Sequence, residues 1–219
     1  MAGKVPIGVL VSGSGSNLQS IIDCIEAGSL DAEIRIVISN EPDAYALQRA
    51  ARHHISAVVI RHVDYAGRQE FEEQIIKTLK EYGVELVIMA GFMRILGPAI
   101  LKAFPMRIMN IHPALLPAFP GLHVQEKAVN YGVKFSGCTV HFADDGVDSG
   151  PIIIQAVVPV NDSDSAEDLA GRILKEEHKV YPKAIQLYAE GRLVIQGRKV
   201  FIMHGSPIVG AMHNPPLSE

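Results

Sequence analysis

Ile7-Gly-Val-Leu-Val-Ser-Gly-Ser-Gly-Ser-Asn-Leu18 decides how this chain is read. Residues 7–11 have the make-up of a buried strand, and a helical pattern over 17–27 starts as soon as the small residues end. A strand that runs through a glycine-rich loop straight into a helix opens a βαβ unit. Small residues let backbone amides approach a ligand, and the first N–H groups of a helix have no partner inside it, so the junction suits an anion. Gly15, Ser16 and Asn17 stand at that junction, with Asn17 also available as a helix cap. Gly13 and Gly15 fit the start of the dinucleotide pattern G-x-G-x-x-G, but Leu18 occupies its third position. Asn40, with Glu41 beside it, stands where an acid for an adenosine ribose is expected. The loop therefore suits a phosphomonoester better than a dinucleotide, with a ligand-free glycine turn as the plain alternative.

Working outward, strand-like runs over 34–39, 57–60, 86–90 and 107–111 alternate with helical patterns over 44–53, 65–82 and 98–103. In the third helix Phe71, Ile75, Ile76, Leu79 and Tyr82 form one apolar stripe, and Gly83 is placed to end it. The alternation predicts an α/β fold: an open, mostly parallel twisted sheet with helices on both faces and a Rossmann-like N-terminal half. After Leu122 the pattern changes to longer strands over 133–143 and 151–160, which are read as antiparallel. A long amphipathic helix follows from near Ser165 through Pro182, where it should kink or break. Residues 192–203 read as a hairpin around Gly197, and the tail over 206–219 as loosely ordered. The expected organisation is one domain over 1–205, with 5–112 as the phosphate-binding half, 113–205 completing a cleft, and the tail outside it.

Composition narrows the field. The chain has 219 residues, 48% of them hydrophobic, and a net charge of −4, which argues against a nucleic-acid surface. Cys24 and Cys138 are the only cysteines; they have no metal-ligand spacing and form no disulfide framework, so a reducing, cytoplasmic setting is expected and no metal. The apolar run ending at Val11 is interrupted by Pro6 and Gly8, too short to span a membrane and without a signal-cleavage pattern.

Three more stretches carry candidate chemistry. Arg107-Ile-Met-Asn-Ile-His-Pro-Ala-Leu-Leu-Pro117 places Asn110 and His112 two residues apart in a strand, hence on one face. One can donate to a developing oxyanion and the other can move a proton, while the prolines stiffen the exit; two polar residues satisfying local backbone are the bland alternative. Asp144-Asp-Gly-Val-Asp-Ser-Gly150 lacks the alternate-position acids and closing glutamate of a calcium loop. Its first two acids read as a solvated turn, but Asp148 precedes an apolar run, and a carboxylate at the sheet edge there could pair with His112. Met89-Ala-Gly-Phe-Met-Arg-Ile-Leu96 follows the fourth strand, and Met93, Arg94, Ile95 and Leu96 could line a flat aromatic ligand. The phosphate loop, this loop and the Asn110/His112 turn all follow parallel strands, the edge where open α/β sheets bind ligands. The other eight histidines read as surface, tail or structural residues, and so, taken alone, does Glu177.

In their order and spacing, Ser12-Gly-Ser-Gly-Ser-Asn-Leu18, Ala90-Gly-Phe-Met-Arg-Ile-Leu96, Asn110-Ile-His-Pro-Ala-Leu-Leu-Pro117, Phe119-Pro-Gly-Leu-His123 and Asp148-Ser-Gly-Pro-Ile152 resemble the phosphoribosylglycinamide formyltransferases of the folate formyltransferase superfamily. The resemblance covers about residues 5–195. It implies a formyltransferase fold that transfers the formyl group of 10-formyltetrahydrofolate, used as co-substrate without a metal, to glycinamide ribonucleotide in purine biosynthesis. It implies Asn110, His112 and Asp148 as catalytic residues, and Gly15, Ser16, Asn17 and Glu177 as ribonucleotide contacts. Folate contacts are implied at Arg68, Met93, Arg94, Ile95, Leu96 and Asn110, and at Asp144, Asp145, Gly146, Val147 and Asp148. It also implies a cis Leu116–Pro117 bond and a monomer or homodimer acting on small molecules, with neither nucleic acid nor membrane as partner. Two departures stand out: Ala114 replaces a frequent serine, and Leu174 replaces a residue that many members have as polar near the substrate phosphate.

Within the superfamily, a 10-formyltetrahydrofolate hydrolase carries an additional N-terminal regulatory domain, whereas the first strand here starts at residue 5. A methionyl-tRNA formyltransferase carries an additional tRNA-binding domain, for which the chain is too short and too acidic. A sugar-nucleotide formyltransferase shares the core chemistry. A non-catalytic nucleotide-binding module fits poorly with an intact Asn110, His112 and Asp148.

Overall fold

The computed structural model describes residues 3–204; the tail reading for 206–219, including His213, falls outside them. Strands β1 (Val5–Val11), β2 (Ala32–Ser39), β3 (Ala57–Val59), β4 (Leu86–Met89) and β5 (Ile108–His112) alternate with helices α1 (Ser16–Glu26), α2 (Tyr45–Arg52), α3 (Arg68–Glu81) and α4 (Pro98–Ala103). Then come α5 (Val124–Tyr131), β6 (Phe135–Phe142), β7 (Ile152–Pro159), α6 (Ala166–Ala189), β8 (Leu193–Gln196) and β9 (Lys199–Ile202). They build one sheet in the order β3-β2-β1-β4-β5-β6-β7-β9-β8. β1 to β5 are parallel, as the alternation predicts, and β5/β6, β6/β7 and β8/β9 are antiparallel.

The period-two pattern of the strands sorts two cores. Ile7, Val9 and Val11 of β1, Leu86 and Ile88 of β4, and Met109 and Ile111 of β5 face the core formed with α1, α2, α5 and α6. Leu10, Val87, Met89 and Ile108 face the other side, where Phe71, Ile75 and Leu79 of α3 and Ile100 of α4 pack. Asn110 and His112 continue the Ile108 side of β5 beyond that second core. There, from β5 to β7, the face carries the polar Asn110, His112, Thr139, His141 and Gln155.

The order of strands reverses between β1 and β4, so the loops that leave these neighbours diverge at the carboxyl edge. They are also tied together: Ser12 N donates to Gly91 O at 3.0 Å and Met93 N donates to Ser12 Oγ at 2.8 Å. The Leu116–Pro117 peptide is cis.

Three readings need correction. The sequence pattern gave no helix over 124–131. α5 buries only Val124 and Ala128 and starts at His123 in the left-handed region without a side-chain cap, so neither stripe nor cap announces it. The expected helix over 65–82 starts three residues later, because Gly67 is extended and ends the irregular stretch that follows His62–Asp64. Pro182 neither ends nor interrupts α6. A proline inside a helix costs about 3 kcal/mol. Around it Tyr181, Ala184 and Ile185 are fully buried and Tyr188 nearly so, and each large apolar side chain contributes roughly 1.5–3 kcal/mol, so packing outweighs the lost hydrogen bond.

Candidate active site

The loop after β1 reaches α1 through Gly15, whose φ of 68° lies in the left-handed region. A Cβ there would also stand 2.6 Å from the Ala46 Cβ, so only glycine lets α2 close against the loop. Ala46 N donates to Gly13 O and Arg49 Nε donates to Ser14 O, which fixes the loop from outside. The first intrahelical bond is Gln19 N to Gly15 O at 2.9 Å, which leaves the preceding amides of Ser16, Asn17 and Leu18 free of helical partners. Gly15 is the N-cap and no side chain caps the helix. Asn17 is therefore not the cap the sequence suggested.

Asn17 points instead across to α6. Its Nδ2 donates to Glu177 Oε2 at 2.7 Å over 160 residues of sequence, and its Oδ1 is buried without a partner. Burial pushes the Glu177 carboxyl above its usual range, and the Asn17 hydrogen bond opposes that shift. An unpartnered buried oxygen beside a poorly solvated carboxyl at a helix start is a set of polar groups suited to a ligand's hydroxyl and phosphate groups. Leu174, half-buried, lies one turn before Glu177 on α6. Asn40 is engaged by its neighbours: the Ser12 hydroxyl donates to its Oδ1 at 2.5 Å, and its Nδ2 donates to Glu41 Oε1 at 2.7 Å.

The loop between β4 and α4 shows Met93, Arg94 and Ile95 to solvent, with Met93 66% and Ile95 65% exposed, while Leu96 packs on the α3/α4 core. Its far end is held from α3. Glu72, 2% exposed, accepts from Gly97 N at 2.5 Å and from Arg68 Nε at 3.0 Å, and Arg68 Nη2 donates to Ile95 O at 2.6 Å. Arg68 thus reaches the loop with which the family resemblance grouped it. Exposed apolar side chains on a tethered loop suit the face of a flat aromatic ligand.

Asp148 gathers the third set. Its Oδ2 accepts from Gly121 N at 2.9 Å and lies 3.3 Å from His112 Nδ1; its Oδ1 lies 3.5 Å from Asn110 Nδ2 and 3.8 Å from His141 Nε2. The structure therefore brings together Asn110, His112 and Asp148. His112 Nε2 donates to the Phe119 carbonyl at 2.9 Å, so both ring nitrogens face acceptor oxygens. Asp144 braces the loop: its Oδ1 accepts from Gly146 N at 3.2 Å and from Ser149 Oγ at 2.6 Å. Asp145, Gly146 and Val147 form the exposed tip.

His141 is the residue that sequence reading passed over. It pairs directly with Asn110 across β5 and β6 and is 2% exposed. Its Nδ1 donates to the Phe142 carbonyl at 2.9 Å, and burial pushes its pKa down, so the ring is neutral and Nε2 accepts from Asn110 Nδ2 at 3.2 Å. The Asn110 amide is thereby oriented with its nitrogen toward Asp148. The sequence held one signal for this: on β6 His141 alternates with the apolar Val140 and Phe142, hence faces away from their core. The next layer is Thr139, whose hydroxyl donates to Ala114 O and accepts from Leu116 N, fixing the turn after His112. Among the described residues no group of three or more His, Cys, Asp or Glu is arranged to hold a metal ion, and no helix is long and apolar enough to cross a membrane.

A parallel switch-point sheet with an anion-suited loop and an Asn–His–Asp cluster on one edge can now be set beside known proteins. The profile of the family described as Formyl transferase matches residues 5–185. The chain belongs to the formyl transferase family. Glycinamide ribonucleotide transformylase 1 from Symbiobacterium toebii is 52% identical and superimposes with a TM-score of 0.90, covering 91% of this chain and 94% of that one. The phosphoribosylglycinamide formyltransferase of Escherichia coli K12 is 41% identical over 185 residues, 84% of this chain and 87% of that protein. The trifunctional purine biosynthetic protein adenosine-3 of Drosophila melanogaster is 44% identical over 191 residues, 86% of this chain but only 14% of that protein's length. This formyl transferase chain thus matches one part of the much longer Drosophila protein and most of the shorter Escherichia coli one.

Proposed function

We propose that this formyl transferase transfers the formyl group of 10-formyltetrahydrofolate to the amine of glycinamide ribonucleotide, giving formylglycinamide ribonucleotide and tetrahydrofolate in purine biosynthesis. The observation that carries the reading is the contact of Asp148 with both His112 and Asn110, at 3.3 and 3.5 Å, on the sheet edge that also holds the glycine loop. The likeness to standalone glycinamide ribonucleotide enzymes supports the choice of acceptor.

The amine attacks the formyl carbon and a tetrahedral oxyanion develops. Asn110, its amide oriented by His141, donates to that oxygen, and such a preorganised donor is typically worth about 10²–10³ in rate. His112, held through Nε2 by the Phe119 carbonyl, stabilises the developing charge by passing its Nδ1 proton to the departing folate nitrogen, while Asp148, 3.3 Å from Nδ1, takes up the proton lost by the amine through a water and returns it to the ring. The C–N bond to folate then breaks. Gly15, Ser16 and Asn17 hold the phosphate end and Glu177 the ribose, so that remote binding energy orients the amine. Arg68 and Met93 to Leu96 flank the folate on one side and Asp144 to Asp148 on the other. Residues 1–205 act as one catalytic unit, working in the cytosol as a monomer or homodimer.

The test is to mix the protein with 10-formyltetrahydrofolate, with and without glycinamide ribonucleotide, and follow tetrahydrofolate release. Release that requires the ribonucleotide is expected. Release without it makes the protein a hydrolase, and binding without release makes it a nucleotide-binding module.

A further inference from the structure

The terminal hairpin β8–β9 lies beyond the residues matched by the family profile, and nothing in the mechanism above uses it. We propose that Arg198, at the tip of this hairpin, is a positioning residue that holds the Asp148 loop in its working shape through the Ser149 carbonyl. The inference rests on the assignment of Asp148 to catalysis.

Asp148 has a φ of 53°, in the left-handed region. A residue with a Cβ stays there only when its surroundings fix it from several sides. The side chain is fixed by Gly121 N and His112. On the N-terminal flank Asp144 ties Gly146 and Ser149. On the C-terminal flank Arg198 Nη2 donates to Ser149 O at 2.7 Å, next to the strained residue. The hairpin is a firm base for that contact. Its open end is closed by Met203 N to Arg192 O at 2.9 Å and Arg192 Nε to Met203 O at 2.7 Å. Directly beside Arg198, Lys199 pairs in parallel with Ile152, the first residue of β7. The guanidinium therefore acts from a fixed strand end on a carbonyl three residues upstream of that pair. Arg198 is exposed and packs into no core, so its removal takes away the donor and leaves the fold intact.

Steady-state kinetics on Arg198→Ala, Arg198→Lys and Asp148→Asn test this. Loss of one solvent-exposed hydrogen bond sets the scale, so kcat of Arg198→Ala should fall about five- to tenfold. The ribonucleotide KM should stay within about twofold, because Asn17 and Glu177 are untouched. Arg198→Lys, which keeps a charged donor there, should recover most of the turnover. A kcat of Arg198→Ala within twofold of wild type, a proportional rise in ribonucleotide KM, or a lysine variant as slow as the alanine one overturns the tether. Near-normal turnover of Asp148→Asn overturns instead the reading on which the tether rests.

Discussion

The loop between β1 and α1 draws its anion-suited amides from consecutive residues, Ser16, Asn17 and Leu18, whereas the cluster around Asp148 is gathered from β5, β6 and two loops, with Gly121 27 and Asn110 38 residues away in sequence. The first region relies on backbone, set by one left-handed glycine and by α2 packed against it. The second relies on side chains, set by the register that places Asn110 opposite His141 and His112 opposite Thr139. Backbone amides tolerate many side chains, provided the turn closes. A side-chain cluster tolerates few, because each member is also a partner of the others. Substitutions in the second region should therefore strike chemistry, and those in the first should strike affinity.

The sharpest way to break this contrast is Asp148→Asn. The amide keeps the shape, but its nitrogen can no longer accept from His112 or Asn110. Turnover is expected to fall by roughly 10²–10⁴, the range for a lost acid–base function, with folate affinity changed far less. Single-turnover rates beside a folate binding titration decide it: equal losses in both would turn the cluster into a binding surface.

A smaller effect, of the opposite kind, is expected from Gly15→Ala. The left-handed φ and the 2.6 Å approach to Ala46 force the loop to shift, at a cost on the order of 1–3 kcal/mol. The ribonucleotide KM and the melting temperature should both suffer, while folate binding is spared. A defect confined to folate would mean that the glycine loop and the cleft at β4–α4 have been assigned the wrong way round.

The same contrast governs what the sequence reveals. Gly15, Ser16 and Asn17 can be read because strand, turn and helix succeed one another locally, and the alternation that builds β1 to β5 is local too. The pairing of Asn17 with Glu177 cannot, since it needs α6 laid across the start of α1, and periodicity makes Glu177 just another charge on a helix. His141 escapes for a related reason. Its meaning depends on an antiparallel register, which a shift of one residue would turn to the other face. Asp148 is singled out by its place before an apolar run, but its nearness to His112 comes from the turn held at Gly121. Pro182 misleads because a local rule is overridden by the burial of Tyr181, Ala184 and Ile185.

The finest test of the contrast concerns Glu177, the one member of the first region that is a remote side chain. Burial raises its carboxyl pKa above the unfolded value near 4.5, so the native state holds the proton more tightly. The sign follows: the stability this contributes is complete below about pH 4.5 and is lost as pH rises through the folded pKa. Glutamine at 177 still accepts from Asn17 but never ionises. The melting temperature of Glu177→Gln relative to wild type should therefore climb as pH goes from 4 toward 8, by about 2–4 °C for each ~1 kcal/mol of burial cost removed. A difference that stays flat with pH, or runs the other way, would show that the charge is already well solvated in the folded protein. If stability rises while the ribonucleotide KM also rises, the buried carboxylate is kept for its ligand at the expense of the fold, and the first region then shares the side-chain dependence of the second at this single position.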